Sequence, residues 1–227
     1  MNYTKTLCAI VVGVVTASLA NAALFVYEDF DYFSSPSQNL HDQTGWSGSS
    51  DFTISGSSLG YTDLQGNVLN TSGGSAVDVT SGEGGSASFR FASQSNDFWM
   101  SFIYNGTTSS ANTVQIDGAT GDHLGVEEGA TNDSIRFRTH SGGVGQPVVD
   151  ITTVSRSTNV FYVIQFDFDP DPGNTEDLVR FWVNPGDMAN LGAPTGTIEN
   201  SGSVQPLFDS FSNFTYQCGR ACDNRCP

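Results

Sequence analysis

Across Phe161–Phe168 the side chains of Tyr162, Ile164, Phe166 and Phe168 fall on one face of an extended chain, with Val163, Gln165 and Asp167 on the other. A side-chain period of two belongs to a strand with one face buried, whereas a helix would repeat its apolar positions every three to four residues. The same alternation returns in Leu178–Val183, where Val179, Phe181 and Val183 oppose Leu178, Arg180 and Trp182, and again where Ile135 and Phe137 oppose Arg136 and Arg138. Further strands are predicted at Phe25–Asp29, Phe52–Ile54, Ala87–Phe91, Phe98–Tyr104, Val114–Asp117, Val148–Thr152 and Thr197–Glu199. Helical periodicity is nearly absent. Short strands at regular spacing, punctuated by Gly, Ser and Asn, predict an antiparallel sandwich rather than alternating α/β units. Long loops are expected at Ser47–Ser50, Thr71–Gly85 and Thr139–Pro147, the second enclosing an edge strand with Val77 and Val79.

The N-terminus has the form of a secretory leader: Lys5, an apolar run from Leu7 to Leu19, then the small-x-small site Ala20-Asn21-Ala22. Such a run is too short and too poorly flanked to span a membrane stably. Cys8 lies at the front of the run rather than beside the cleavage site, which argues against a lipid-modified cysteine. Cleavage after Ala22 leaves 205 of the 227 residues, enough for one large all-β domain, here residues 23–216. All 24 acidic residues lie in this mature part against seven arginines and no lysine, a formal charge of −17. Nucleic acid and anionic lipid both require basic contacts, so neither is a partner for such a surface. Residues 217–227 form a tail holding Cys218, Cys222 and Cys226, an odd number that favours disulfide pairing within or between chains, including a disulfide-linked dimer.

Several segments taken in order resemble the concanavalin A-like, laminin-G-like jelly-roll domains of exported bacterial proteins. The carriers are YEDFDYF (Tyr27–Phe33), TGWSGS (Thr44–Ser49), FWMSFIY (Phe98–Tyr104), HLGVEEG (His123–Gly129) and the pair FYVIQFDF and DLVRFWVNP. The resemblance implies a jelly-roll sandwich of two antiparallel sheets with a concave face that holds glycans in some relatives. It implies no catalytic residues by itself. Such chains often continue into a Pro-Glu-Pro motif, an apolar span and a basic end. Here CGRACDNRCP stands instead, the sign of a lost anchor or of a reading frame shifted near Phe214.

Three chemistries compete for the stretch FDFDPDPGNTEDLVRFWVNP, Phe166 to Pro185. Asp, Pro, Gly and Asn are the residues that turns demand, so its first reading is the connection between two strands. The alternative is calcium, because Asp167, Asp169, Asp171, Asn174 and Asp177 crowd together oxygens of the kind a hard cation takes in sixes to eights. An EF-hand count from Asp167 fails, with Pro172 at the sixth position and Leu178 at the twelfth. Glycoside hydrolysis requires two carboxylates at a fixed separation. The six glutamates never form the Glu-x-Asp-x-Glu strand pattern that glucanases of this fold use, and Pro170 and Pro172 end the strand near Phe168.

The surface expected to touch a ligand is the set Gln165, Arg180 and Trp182, with Arg136, Arg138 and His140 from another strand, all placed on one concave face. An aromatic plane covers the C–H side of a sugar while amides and guanidinia read its hydroxyls. Trp182 and Trp99 equally suit packing, and Trp46 suits a plug at the end of the sandwich. The expectation is thus a secreted, non-catalytic, lectin-like domain associating with extracellular glycan or matrix polymer. Its rivals are a structural surface component crosslinked through its cysteines and a glycoside hydrolase of the same fold.

Overall fold

A computed structural model describes residues 12–14, 23–26, 39–49, 52–55, 59–70, 76–79, 85–94, 97–105, 113–118, 123–128, 134–141, 144–155, 158–168, 178–199 and 211–218. In chain order its strands are β1 (Val12–Val14), β2 (Ala23–Val26), β3 (Trp46–Gly48), β4 (Phe52–Ser55), β5 (Gly60–Thr62) and β6 (Val68–Asn70). There follow β7 (Ala76–Val79), β8 (Gly85–Gln94), β9 (Phe98–Tyr104), β10 (Thr113–Gly118), β11 (His123–Glu128) and β12 (Ile135–Ser141). The last five are β13 (Val144–Ile151), β14 (Val160–Asp167), β15 (Leu178–Val183), β16 (Gly196–Glu199) and β17 (Phe211–Cys218). One short 3-10 turn, Leu40–Asp42, precedes β3. Among the described residues no helix is long and apolar enough to cross a membrane.

Two sheets face each other as the alternation predicts, and the chain is an all-β antiparallel jelly-roll sandwich. One sheet has seven strands in the order β13-β12-β11-β10-β17-β8-β3, the other six in the order β16-β15-β14-β9-β1-β2. The chain runs a four-strand meander, β10 to β13, on the first sheet, crosses to place β14, β15 and β16 on the second, then returns to insert β17 between β10 and β8. Of the predicted strands, Phe98–Tyr104 matches β9 residue for residue.

The inward faces meet in an aromatic seam. Phe137 of β12 stacks on Phe181 of β15 at 3.8 Å, Phe166 of β14 meets Phe211 of β17 at 4.5 Å, and Phe102 of β9 meets Phe214 of β17 edge-on at 5.7 Å. Each pair joins one sheet to the other, so ring burial and offset ring geometry hold the layers together. Trp46 lies buried against Phe89 at the β3 end of this core, the plug that its sequence context suggests.

A second apolar cluster lies outside the six-stranded sheet. Ile103, Phe161, Val163 and Trp182 on its outer face are covered by Leu59, Tyr61 and Leu69 of the β5–β6 hairpin region and by Met188 and Leu191 of the loop after β15. This flap rests on polar ties as well. The Tyr61 hydroxyl donates to the Pro185 carbonyl at 2.7 Å, and Leu64 N–H donates to the Gly186 carbonyl at 3.1 Å.

The backbone also amends the loops expected from composition. Trp46–Gly48 is a strand rather than a loop: Gly48 has φ +129°, and a Cβ there would overlap the Ser86 carbonyl, so only glycine lets β3 approach β8 so closely. Thr139–Pro147 is the hairpin end of β12 and β13, not a long loop. Val12–Val14, inside the expected leader, pairs with β2 and, at Gly13, with Trp99 of β9. At the other end β17 runs through Cys218, which pairs with Gly85, so the sheet continues past the expected domain boundary at residue 216. Cys222 and Cys226 lie outside the described residues.

Candidate functional site

Strand parity places the expected ligand residues on two different surfaces. Ile135 and Phe137 point into the core, so Arg136 and Arg138 point out from the seven-stranded sheet. Val179 and Phe181 point into the same core from the other side, which sends Arg180 and Gln165 out from the six-stranded sheet. The single concave face therefore does not form: Arg136 and Arg138 lie on one outer surface of the sandwich, Gln165, Arg180 and Trp182 on the other. His140 pairs through its backbone with His123 on the seven-stranded side, and its side chain lies outside the described residues.

The outer face of the seven-stranded sheet is a grid of polar side chains set by cross-strand register. One row runs Ser47, Ser88, Thr215, Gln115, Gly125, Arg138 and Val148 across seven strands. To one side lie Thr113, Glu127, Arg136 and Asp150, to the other Arg90, Asn213, Asp117 and His123. Neighbouring side chains are joined across strands. Thr215 Oγ1 donates to Asp117 Oδ2 at 2.5 Å and meets Ser88 Oγ at 3.0 Å. Gln115 Nε2 lies 3.4 Å from His123 Nε2. Arg136 grips Asp150 with two nitrogens at 2.8 and 3.1 Å, and Arg138 reaches Glu127 at 3.5 Å. The Asp150 hydrogen bonds, with the Asp150 and Glu127 charges, raise the Arg136 guanidinium above its ordinary value against the opposing effect of burial.

Gly125 is the one position of the central row without a side chain, and the Glu127 carboxylate takes the space. It stands between Gln115 and Arg138, and a Cβ there would come within 2.7 Å of Glu127 Oε1. The Glu127 side chain lies back across the glycine toward Arg138. In a chain with only seven arginines outside the leader, Arg90, Arg136 and Arg138 all fall on this face, opposed by Asp117, Glu127 and Asp150. The face thus balances charge where the chain as a whole is strongly acidic, a composition suited to a neutral polar ligand rather than a polyanion or a cation.

On the opposite surface, Arg180 Nη1 donates to Asp167 Oδ2 at 2.8 Å and to Gln165 Oε1 at 3.2 Å. Asp97, at the start of β9, accepts Phe168 N–H at 2.9 Å and lies within the field of both Asp167 and Arg180. Burial, and then the Asp167 charge, push the Asp97 carboxyl above its usual range. Two carboxylates in unequal surroundings beside a guanidinium can divide acid and base roles. Nothing in the sequence drew attention to Asp97, which is separated from Asp167 by 70 positions; the signal lay only in how β9 and β14 pair.

Trp182 belongs to neither surface as a contact residue. It is 6% exposed beneath the flap, stacks on Trp99 at 5.3 Å and donates its indole N–H to the Gly192 carbonyl at 3.1 Å, so it packs and offers no open plane to a sugar. Of the expected calcium set, Asp169, Asp171, Asn174 and Asp177 lie outside the described residues, while the Asp167 carboxylate is taken by Arg180. No group of three or more metal-ligating side chains occurs among the described residues.

The chain matches no family model and no curated protein sequence. Among solved structures it is similar to a β-glucanase of Bacillus licheniformis, at 11% identity and a TM-score of 0.42, over 80% of this chain and 82% of that one. A prokaryotic β-1,3-1,4-glucanase (lichenase) from a mouse hindgut metagenome aligns at 10% identity and a TM-score of 0.40, over 80% and 70%. The apo Crh5 transglycosylase aligns at 11% and 0.44, over 85% and 75%. By name these three are glucanases and a transglycosylase, which runs against the expectation of a chain that is no enzyme. The likeness is too remote to transfer an activity, so the chemistry of this chain rests on its own side chains.

Proposed function

We propose that this chain engages a neutral saccharide on the outer face of its seven-stranded sheet. The observation that carries the reading is the cross-strand polar grid around Gly125, where the Glu127 carboxylate lies over the glycine beside Gln115 and Arg138. Sugar hydroxyls are donors and acceptors at once, and an amide, a guanidinium and a carboxylate side by side on one face offer both. The leader-like N-terminus supports a ligand met outside the cell, such as an extracellular glycan or matrix polymer. A glycan array probed with the purified chain and with Arg138→Ala tests this: binding by the parent that falls at least tenfold in the variant is expected. Equal binding by a folded Arg138→Ala protein would remove the face from consideration.

The unequal pair Asp97 and Asp167 favours a second reading, glycoside cleavage on the opposite surface. There Asp97, whose carboxyl burial holds above its usual range, supplies the acid, and Asp167, paired with Arg180, supplies the second carboxylate. Reducing ends released from a panel of β-glucans, lost in both Asp97→Asn and Asp167→Asn, are the expected result; release that survives either substitution would exclude the pair.

A further inference from the structure

At the edge of the flap, between the outer face of the six-stranded sheet and the β5–β6 hairpin, lies a half-open apolar pocket of about 290 Å³. Its walls are Trp99, Phe161 and Val163 from the sheet, Leu69 from the hairpin, and Met188 and Leu191 from the loop after β15. Ser101 is the only hydroxyl in the lining.

We propose that this pocket is a second ligand site, independent of the saccharide face, for a small uncharged apolar molecule of two fused rings or similar bulk. The size argument is direct. A protein cavity of about 150 Å³ lined by aliphatic and aromatic side chains stays dry and takes benzene. This pocket has about twice that volume, is open to solvent on one side, and lies near the lower end of small-molecule pockets. The chemistry follows from the walls: with one hydroxyl and no charged side chain in the lining, a charged or heavily hydroxylated ligand would lose its water and recover few hydrogen bonds.

The roof is a built structure rather than a chance overhang. Asp63, 6% exposed, accepts N–H groups from Gln65 and Asn67 at Oδ1 and from the Asn67 side chain and Met188 at Oδ2, all at 2.8–2.9 Å. One carboxylate thus ties the hairpin turn to the loop that supplies Met188 and Leu191. The tie keeps the walls apart at a fixed spacing where unsupported apolar surfaces would collapse together.

Naphthalene serves as the probe, read by the emission of the stacked Trp99 and Trp182 and by thermal melting of the full chain. Saturable quenching is expected, together with a melting temperature raised by roughly 5–10 °C at about a hundredfold excess over Kd. Ser101→Phe fills the space from the sheet and Leu191→Trp from the loop; either variant, if folded, is expected to lose both responses. Arg138→Ala, on the other surface, is expected to keep them. No quenching and no melting shift in the parent chain would overturn the site, as would an unchanged response in whichever filled variant folds.

Discussion

The Asp63 carboxylate accepts the Met188 backbone N–H at 2.8 Å across 125 residues of sequence, and this contact fastens the flap to the sandwich. Burial alone would raise the proton affinity of Asp63, yet its four N–H donors outweigh that and hold the carboxyl below its ordinary value. A carboxylate with a lowered native pKa contributes stability that is present above the unfolded value, about 4, and is lost as pH falls through the native one. Protection of the Met188 and Asn67 N–H groups, taken relative to their intrinsic exchange rates, is therefore expected to fall on acidification below about pH 4, and to be reduced in Asp63→Ala at neutral pH. Unchanged protection in that variant would show that the Tyr61 and Leu64 ties suffice.

Asp97 carries the opposite sign. Its native pKa is raised, so the folded chain holds the proton more tightly than the unfolded one, and the resulting stability is present below the unfolded value and lost as pH rises through the native one. Asp97→Asn keeps an oxygen for Phe168 N–H and cannot ionise. It is expected to melt higher than the parent at pH 7 and equally at pH 3, as paired thermal scans would reveal.

Trp182→Ala separates packing from recognition. Removing a buried indole stacked on Trp99 is expected to cost about 3–5 kcal/mol in a denaturant titration. Glycan binding, measured below the midpoint, is expected to be unaltered, because the indole is closed off under the flap on the far side from Arg138.

Gly125→Val displaces the Glu127 carboxylate from the centre of the grid. The added atoms collide with the Glu127 carboxylate, the free end of a side chain that can swing aside, so the fold is expected to survive with a loss of about 1 kcal/mol or less, in keeping with the modest worth of a surface ion pair. Saccharide affinity is expected to fall more than tenfold by isothermal titration. Retained affinity would place the ligand elsewhere on the grid.

The sandwich was readable because period-two patterning reports burial directly, as β9, β14 and β15 illustrate. What alternation cannot report is which sheet a strand joins. Arg136 and Arg180 both alternate with buried phenylalanines, Phe137 and Phe181, and those rings stack on each other at 3.8 Å, which is the reason their polar neighbours point in opposite directions. The flap escaped notice for another reason: Gly-Tyr-Thr and Val-Leu-Asn are too short to show a period, and Asp63-Leu-Gln-Gly-Asn67 has the composition of any solvated turn. Its carboxylate is buried only because a loop 125 positions away closes over it.

The place of β17 has a bearing on the order of folding. This late strand supplies the middle of the seven-stranded sheet, joining β10 to β8, so the two halves of that layer have no edge in common until residues 211–218 arrive. As the chain is made from its N-terminus, this layer therefore stays open until residues 211–218 have emerged, a late closure built on pairings distant in sequence.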